Sequence, residues 1–328
     1  MRVAVVTTSY PAFPGDPCGH FVETEARRMA KPAEVVVVTA GGRDSRSHAT
    51  HATHATHATK EKGGIEGWRL DGGDAFGWPG VAARVRERPL RMVNALQWTL
   101  RARSLLATLP RVDRIVAHWA VPSAFPVAGT RARGIPLEIV SHGADVRLLV
   151  KLPARVRDAV VMRLLGDASE WRFVSSSLRD SLVGALSPTV AKRLLDKSVV
   201  LAAAIHLPDV RAESHALRAR AQPEGDGPLL VCVGRLVASK RFDRALDRAA
   251  SYTGARVVVV GDGPERAKLE AMAKARRIDA QFVGATSRDV AVAWIGAADA
   301  LLHASRAEGL STVVREAEAL GVRVVTIA

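Results

Sequence analysis

The feature that most constrains the fold is a set of short, continuous apolar runs rich in β-branched residues. The first two runs occupy 2–8 and 34–39, and two more occupy 229–233 and 256–260. A strand that is apolar without alternation is covered on both faces, which is the condition of parallel strands in α/β proteins. Because glycine-containing loops and helix-compatible segments separate the runs, the sequence predicts doubly wound α/β sheets.

The length and local composition predict two domains. A chain of 328 residues accommodates two domains of ordinary size, each with its own core. The segment 204–227 is rich in Ala, Pro, Gly and charged residues, so we expect a linker there, between a Rossmann-like domain at 1–203 and a second at 228–328. Four exact His-Ala-Thr triplets at 48–59 have a period that suits neither helix nor strand. We expect a disordered surface loop there rather than a metal site.

The composition also bounds the partners. A formal net charge of +14 suits nucleic acid, an anionic membrane surface or an anionic substrate. The chain has no zinc spacing or RNA-recognition signature, and only two Tyr and seven Phe are available for base stacking. We therefore expect no nucleic acid and keep that class as an alternative supported by charge alone. Cys18 and Cys232 lack metal spacing, and the N-terminus lacks a signal-peptide pattern, which together predict a cytoplasmic location.

One basic segment leaves two interpretations open. Residues 81–110 contain six arginines against one acidic residue, Glu87, with large apolar residues interleaved, and Pro89 is expected to separate two helices. We favour a solvated arginine face over a packed apolar face, the usual pattern of a surface helix. The alternative is a basic amphipathic helix that makes peripheral contact with the inner face of a membrane.

Two histidine motifs follow successive predicted strands in the first domain. His118 ends the strand near 114–117, and His142 follows the strand near 137–140 within Ser-His-Gly-Ala-Asp. Residues just beyond the carboxyl ends of parallel strands line the ligand crevice, so both histidines are expected to point into one cleft. Asp145, which closes the second motif, either orients His142 or binds an acceptor hydroxyl.

Glycines and cations mark the other predicted sites. Gly19 opens the helix after the first strand, where it either lets the backbone approach a phosphate or supplies a tight turn. In the second domain, Arg235 and Lys240 follow the strand at 229–233. An arginine can bind two phosphate oxygens at once, and a lysine adds a point charge, so the pair suits a diphosphate. Gly261 and Gly263 form the turn after the next strand.

The C-terminal end of the chain is predicted to form a loop, a helix and a strand. Ser311 or Thr312 is predicted to cap the helix, and the amides of its first turn form an anion site. Glu308 in the loop and Glu316 in the first or second turn are separated by seven residues, so both carboxylates are expected to face a ligand whose phosphates lie on the helix N-terminus. A sugar nucleotide fits that description.

Together these motifs resemble the retaining glycosyltransferases of the GT-B fold, family 4 type, also described as glycosyl transferases group 1. The most specific match is Gly-Arg-Leu with its following lysine at 234–240, and Gly-x-Gly-Pro at 261–264 also matches. The resemblance implies two Rossmann-like domains that face a cleft. It further implies a metal-independent, cofactor-free hexosyltransferase that moves a sugar from a UDP- or GDP-sugar to a glycan or lipid-linked acceptor in cell-envelope or exopolysaccharide biosynthesis.

The resemblance also implies roles for individual residues. Arg235, Lys240 and the amides near Ser311 would neutralise the leaving diphosphate, while Glu308 holds donor-sugar hydroxyls and Glu316 the ribose hydroxyls. The histidine pair would orient the sugar or acceptor from the opposite wall. The residues assigned to catalysis are His118, His142, Asp145 and Glu308, and those assigned to the nucleotide-sugar are Gly19, Arg235, Lys240, Gly261, Gly263, Leu310, Ser311, Thr312 and Glu316.

Two departures from the family pattern define the alternatives. The first loop has one glycine beside His20 where the family often has two, and family members usually continue beyond the predicted strand at 322–327. We therefore expect a C-terminal domain that is truncated. The main alternative is a truncated, inactive GT-B relative that acts as a binding or scaffold subunit, and a nucleotide-sugar epimerase or phosphorylase of similar architecture is a further one.

Overall fold

The structure is a computed structural model in which the chain forms two compact units. Unit 1 comprises Met1–Ala12 and Cys18–Ala204, and unit 2 comprises Phe13–Pro17 and Ile205–Ala328. The residues that the structure describes are 1–41, 57–61, 64–77, 81–110, 112–125, 127–128, 134–221, 227–305 and 310–327.

Unit 1 is built on an eight-stranded sheet. Its strands are β1 (Arg2–Val6), β2 (Glu34–Gly41), β3 (His57–Glu61), β4 (Ile65–Asp71), β5 (Arg114–His118), β6 (Leu137–Ser141), β7 (Ala168–Phe173) and β8 (Ser198–Val200). The order across the sheet is β3-β4-β2-β1-β5-β6-β7-β8. Only the edge pair β3–β4 is antiparallel among these described strands. The continuous apolar run of β1 lies at the centre of the sheet and is buried on both faces, as predicted.

Helices connect the strands of unit 1. They are α1 (His20–Met29), α2 (Val81–Glu87), α3 (Arg91–Thr108), α4 (Ala144–Lys151), α5 (Ala154–Asp167), α6 (Ser176–Val183) and α7 (Pro188–Lys197). Pro89 lies between α2 and α3, which confirms its predicted position between two helices, because proline disfavours helical continuation. None of the described helices combines the length and the apolar character needed to cross a membrane.

Unit 2 contains a smaller sheet of five parallel strands. The strands are β9 (Leu229–Val233), β10 (Arg256–Val260), β11 (Asp279–Gly284), β12 (Ala300–His303) and β13 (Arg323–Thr326), in the order β11-β10-β9-β12-β13. The helices are α8 (Arg211–Ala221), α9 (Phe242–Ala249), α10 (Arg266–Ala275), α11 (Arg288–Ala297) and α12 (Thr312–Ala319). Val231 belongs to one buried cluster and its neighbour Cys232 to another, so both faces of the sheet are covered. Both units are therefore doubly wound α/β structures, as the sequence predicts.

Two segments differ from the sequence prediction. The segment 204–227, predicted to be a linker, includes α8, which packs into the core of unit 2. The segment was predicted to be a linker because of its many charged residues, but its buried residues recur at helical spacing. These buried positions are Val210, Ser214, Leu217 and Ala221. Of the predicted disordered loop at 48–59, residues 48–56 lie outside the described residues. Residues 57–59 instead begin β3, because backbone hydrogen bonding to β4 does not depend on the triplet composition.

The basic helix α3 presents a different face from the one predicted. Two alanines, one tryptophan and one leucine of α3 face the rest of unit 1, and these buried positions are Ala95, Trp98, Ala102 and Leu106. Trp98 packs against Phe76 with ring centroids 5.3 Å apart. Other large aliphatic residues lie on the outside: Leu96 is 60% and Leu100 57% exposed, and Leu90, directly before α3, is 83% exposed. The prediction of an apolar face packed beneath solvated arginines is therefore wrong for these leucines.

Candidate functional site

The first candidate site lies at the carboxyl edge of the sheet in unit 1. β1 lies between β2 and β5, so chain order reverses there and the crevice of the sheet opens between the ends of β1 and β5. His118 is the last residue of β5, and His142 follows β6 directly. The structure brings these two histidines together, since successive parallel strands deliver them to the same edge.

The two imidazole rings stack and share a hydrogen bond. Their centroids are 5.2 Å apart, their planes differ by 14°, and Nδ1 of His118 lies 2.9 Å from Nε2 of His142. His118 is fully buried, whereas His142 is partly exposed. Phe21 and Trp119 flank His142, with ring centroids at 4.7 Å and 5.0 Å. The accessible histidine is therefore held on three sides by other rings.

Burial keeps both histidines neutral. It lowers the pKa of His118 to about 3, and the positive charge of Arg172 adds to this effect. Burial also lowers the pKa of His142 well below its ordinary value, with further contributions from His118 and Arg172. Each neutral ring carries one N–H donor and one acceptor nitrogen. The pair is therefore suited to directional hydrogen bonding at physiological pH rather than to carrying charge.

Asp145 fastens the two loops that carry the histidines. Its carboxylate accepts hydrogen bonds from the Ser141 hydroxyl at 2.7 Å and from the backbone N–H groups of Ala120 at 2.8 Å and Gly143 at 3.1 Å. Burial raises the pKa of Asp145 although these bonds oppose the shift. Among the described residues, none of its bonds goes to His142. Asp145 therefore holds the backbone around the site rather than orienting His142 through a direct bond, and its binding of an acceptor hydroxyl stays a prediction.

A buried ionic network lies behind the histidines. Arg172 on β7 pairs with Glu25 on α1 and approaches Glu138 on β6 at 3.3 Å, and Glu138 also binds Arg114 on β5. Glu138 and Arg172 are buried. Buried charges persist only when they are paired. The sequence analysis did not predict this network. The signal was Glu138, a charged residue within the otherwise apolar strand β6.

Gly19 has a local reason to be glycine. It has a φ of +71°, and an added Cβ would lie 2.3 Å from the carbonyl oxygen of Ser9. The close approach of the chain to itself accounts for glycine at this position without a ligand. Contact between Gly19 and a phosphate stays a prediction.

The second candidate site lies at the carboxyl edge of the sheet in unit 2. β9 lies between β10 and β12, so the crevice of this sheet opens between the ends of β9 and β12. The loops that follow β9 and β10 pack backbone against backbone. A Cβ on Gly261 would lie 1.9 Å from the oxygen of Gly234, and one on Gly263 would lie 2.5 Å from the oxygen of Leu236. Both glycines also have positive φ, at +133° and +156°, so this packed pair of loops requires them.

Cations reach the edge of this crevice from the loop after β9. Arg235 is exposed and Lys240 is partly exposed at the end of a short 3₁₀ turn. Burial lowers the pKa of His303, the last residue of β12, and the positive charge of Lys240 lowers it further. Lys240 and His303 therefore lie close together on opposite sides of the crevice. His303 was missed by sequence reasoning, although the same signal, a histidine at a strand end, identified His118.

Helix α12 begins at the same edge of the sheet. Leu310 precedes it, Ser311 occupies the N-cap position and Thr312 is its first residue. The side chain of Ser311 accepts no capping hydrogen bond, so the predicted side-chain cap is not formed. Its backbone is extended, with φ of −75° and ψ of 115°. Glu308, predicted to bind the donor sugar, lies outside the described residues.

Glu316 forms a buried ion pair. Its Oε1 accepts a hydrogen bond at 2.7 Å from Arg288, the first residue of α11, and both side chains are nearly buried. Arg288 also donates to the carbonyl of His206. The carboxylate predicted to bind ribose is therefore engaged by an arginine in this structure. No local sequence pattern signals this pair, because Arg288 lies 28 residues away from Glu316.

Across the described parts of the chain, no three His, Cys, Asp or Glu side chains are grouped so as to hold a metal ion. The predicted independence from metal stays a prediction.

The sequence is similar to a known protein family and to individual enzymes. Residues 214–328 match the family model described as glycosyl transferases group 1. A GDP-mannose-dependent alpha-mannosyltransferase of Mycobacterium tuberculosis is 30% identical over 253 residues, which is 74% of this chain and 64% of that protein. The putative teichuronic acid biosynthesis glycosyltransferase TuaC of Bacillus subtilis is 30% identical over 241 residues, 72% of this chain and 57% of that protein. The chain thus spans less than two thirds of the length of these relatives.

Solved structures share the fold at lower identity. Anabaena Alr3699/HepE in complex with UDP superposes with a TM-score of 0.66 and 14% identity, covering 99% of this chain and 80% of that one. Sucrose-phosphate synthase from Thermosynechococcus elongatus gives a TM-score of 0.73 and 16% identity, covering 99% and 81%. Together with the two doubly wound units, these similarities show that residues 214–328 belong to the glycosyl transferases group 1 and that the chain has the GT-B fold.

Proposed function

We propose that the chain is a retaining glycosyltransferase that moves a hexosyl group from a UDP- or GDP-sugar to a glycan or lipid-linked acceptor. The acceptor would belong to cell-envelope or exopolysaccharide biosynthesis on the cytoplasmic side. The observation that carries the proposal is the crevice of unit 2, where Arg235 and Lys240 follow β9 and α12 begins beyond β12.

The chemistry of that crevice suits a diphosphate. A guanidinium donates hydrogen bonds to two phosphate oxygens at once, and an ammonium adds a point charge. The first-turn amides of α12 add a partial positive charge, and no bond from the Ser311 side chain occupies them. As the bond to the sugar breaks, negative charge grows on the diphosphate. Preorganised cations stabilise that charge without a metal ion.

The names of the relatives support the donor class. The mycobacterial relative is named as GDP-mannose-dependent, a relative from Streptomyces kanamyceticus is named 2-deoxystreptamine glucosyltransferase, and HepE was solved with UDP-glucose. The two enzyme names agree on a sugar as the transferred group. The two nucleotides that are named, GDP and UDP, differ, so either fits this chain.

The remaining residues take supporting roles in the proposal. Glu308 would hold hydroxyls of the donor sugar, and Glu316 would bind ribose after exchanging part of its pairing with Arg288. Unit 2 holds the donor through its region 228–328, and unit 1, within 1–203, holds the acceptor side. His142 would contact a sugar or acceptor oxygen, since it is the accessible member of the histidine pair.

A thermal-shift screen of the full chain against UDP-, GDP- and ADP-sugars, with and without magnesium, tests the donor. A ligand at about 100 times its Kd stabilises the native state by about 2.7 kcal/mol, which raises the melting temperature measurably. We expect one nucleotide class to stabilise the protein without magnesium. A folded protein that responds to no donor would contradict the proposal. With a productive acceptor, the anomeric configuration of the product decides whether transfer is retaining.

We also propose that α3 contacts an anionic membrane surface, which would bring a lipid-linked acceptor within reach. Leu96, Leu100 and Arg103 follow one another at helical spacing on the outside of α3, and Arg88 is exposed just before it. Exposed apolar residues beside cations are typical of helices that lie in a lipid interface. Each basic residue near such a surface contributes about 1 kcal/mol of attraction.

Flotation with vesicles tests this contact. We expect the chain to float with vesicles containing phosphatidylglycerol and not with pure phosphatidylcholine. The double substitution Leu96→Glu and Leu100→Glu should abolish flotation, whereas Leu195→Glu, at an exposed leucine of α7, should not. Equal flotation of both variants would contradict the proposal.

A further inference from the structure

The hydrogen bond within the histidine pair has a direction, and that direction decides what His142 can offer a ligand. Nδ1 of His118 and Nε2 of His142 are 2.9 Å apart, so one of them carries the proton and the other accepts it. If His118 donates, His142 carries its own proton on Nδ1. If His142 donates, its Nδ1 is a bare acceptor and His118 must carry its proton on Nε2.

The surroundings of His118 separate these two arrangements. Nε2 of His118 is buried and has no hydrogen-bond partner among the described residues. The second arrangement would place an N–H group on that atom, and orphaned buried N–H groups are rarer in proteins than under-satisfied acceptors. The positive charge of Arg172, which is close enough to oppose protonation of both rings, also favours a lone pair over an N–H at the buried nitrogen.

The backbone around the pair holds the two rings at this distance. Asp145 binds the N–H of Ala120, two residues after His118, and the N–H of Gly143, directly after His142. The loops after β5 and β6 are thereby tied to one carboxylate. The contact between the rings is therefore set by the fold and does not depend on a ligand.

We infer that His118 is a positioning residue whose Nδ1–H donates to Nε2 of His142 and so fixes the tautomer of His142 with its proton on Nδ1. The partly exposed ring then presents an N–H donor to its ligand. Resting on the proposed function, this assigns His142 to donate a hydrogen bond to an oxygen of the sugar or acceptor, and excludes a role for that nitrogen as a proton acceptor.

Nuclear magnetic resonance of the imidazole nitrogens tests the tautomer directly. The full chain is labelled with ¹⁵N-histidine and measured at neutral pH without ligand, and the signals of His142 are assigned by their loss in His142→Gln. We expect a protonated Nδ1 and a bare Nε2. A proton on Nε2 of His142 would overturn the inference. Because no ligand is present, this result does not depend on the proposed function.

Substitutions of His118 test whether it sets that tautomer. His118→Phe keeps a ring but removes the donor, so the proton of His142 should redistribute towards Nε2. His118→Asn places an amide N–H near the former Nδ1 and should restore the wild-type tautomer. His215→Asn, on the exposed face of α8, is the control and should change nothing. An unchanged His142 tautomer in folded His118→Phe would show that His118 does not position it.

A kinetic readout connects the pair to transfer. Where a donor and acceptor are found, His118→Phe should lower kcat/KM about tenfold, the loss expected for one misplaced hydrogen bond, and His118→Asn should recover most of it. Equal rates in wild type and His118→Phe would overturn the assigned ligand contact. A chain that transfers no sugar would refute the proposed function and leave the tautomer result standing.

Discussion

The two units reach a preorganised site by different means. In unit 1, neutral or paired polar side chains are buried and bonded to one another, as in the stacked histidines and the carboxylate of Asp145. In unit 2, the loops are held by backbone packing at Gly261 and Gly263, while Arg235 and Lys240 keep contact with solvent. The same type of sheet therefore supports two kinds of site.

The difference is consistent with the proposed function, in which the two sites handle different charges. A neutral hydrogen-bonding group gains precision from burial, because the surrounding protein fixes its orientation and tautomer. A cation that is proposed to bind a diphosphate would lose its hydration if it were buried without a partner. In unit 2 the loop that carries these cations is held by main-chain packing, with Arg235 exposed and Lys240 partly exposed.

The largest effect is expected from a side chain placed in the packed loops of unit 2. Gly261→Ala combines a positive φ with a Cβ 1.9 Å from a backbone oxygen, so the loops must separate. We expect a loss of about 3 kcal/mol or more in the free energy of unfolding, since strain and steric overlap add. Chemical denaturation of the purified variant measures the loss.

Gly321→Ala provides the matched control for that substitution. This glycine also has a positive φ, of +74°, but among the described residues other than its chain neighbours no heavy atom lies within 4 Å of an added Cβ. Only the conformational cost remains, and it should be about 1 kcal/mol. Equal losses in the two variants would show that the packing of the two loops is not what makes glycine necessary at 261.

A smaller effect is expected from pH in unit 1. The folded pKa of His118 is about 3, whereas an unfolded histidine has a pKa of about 6.5. Below about pH 6.5 the unfolded state therefore binds more protons, and stability falls as the pH falls towards 3. Each such histidine contributes a slope of at most about 1.4 kcal/mol per pH unit.

His118→Asn removes one of these groups while retaining a polar side chain. Between about pH 6.5 and 5 the variant should lose about 1–2 kcal/mol less stability than the wild type. Urea denaturation at both pH values measures the difference. Parallel losses in the two proteins would mean that His118 is not held neutral by the fold, and the contrast between the units would weaken.

Much of the fold was predictable because its signals are local. Continuous β-branched runs marked the buried strands, and glycines marked the turns that the structure places at positive φ, including Gly19 and Gly261. Strand ends identified the histidine pair, since the carboxyl edge of a parallel sheet collects such residues whatever the rest of the fold does.

The remaining features depend on contacts between distant residues. Helical spacing alone does not say which face of α3 is buried, and in the structure Trp98 is buried whereas Leu96 and Leu100 are exposed. For Asp145 the sequence left two roles open, orienting His142 or binding an acceptor hydroxyl, and only the structure shows that its oxygens bind the backbone of two loops. The pairing of Arg288 with Glu316 became visible only when α11 and α12 were packed in place.

The crevice of unit 2 is proposed to bind a nucleoside diphosphate through Arg235. Calorimetric titration of UDP and GDP into the wild type, Arg235→Ala and Lys274→Ala tests it most directly, because Lys274 is an exposed cation in the last turn of α10 whose loss removes the same charge. We predict that the wild type binds at least one nucleotide, that Arg235→Ala weakens binding about 10- to 100-fold, and that Lys274→Ala leaves it unchanged. A folded wild type that binds neither nucleotide, or equal affinities in the two variants, would contradict the account.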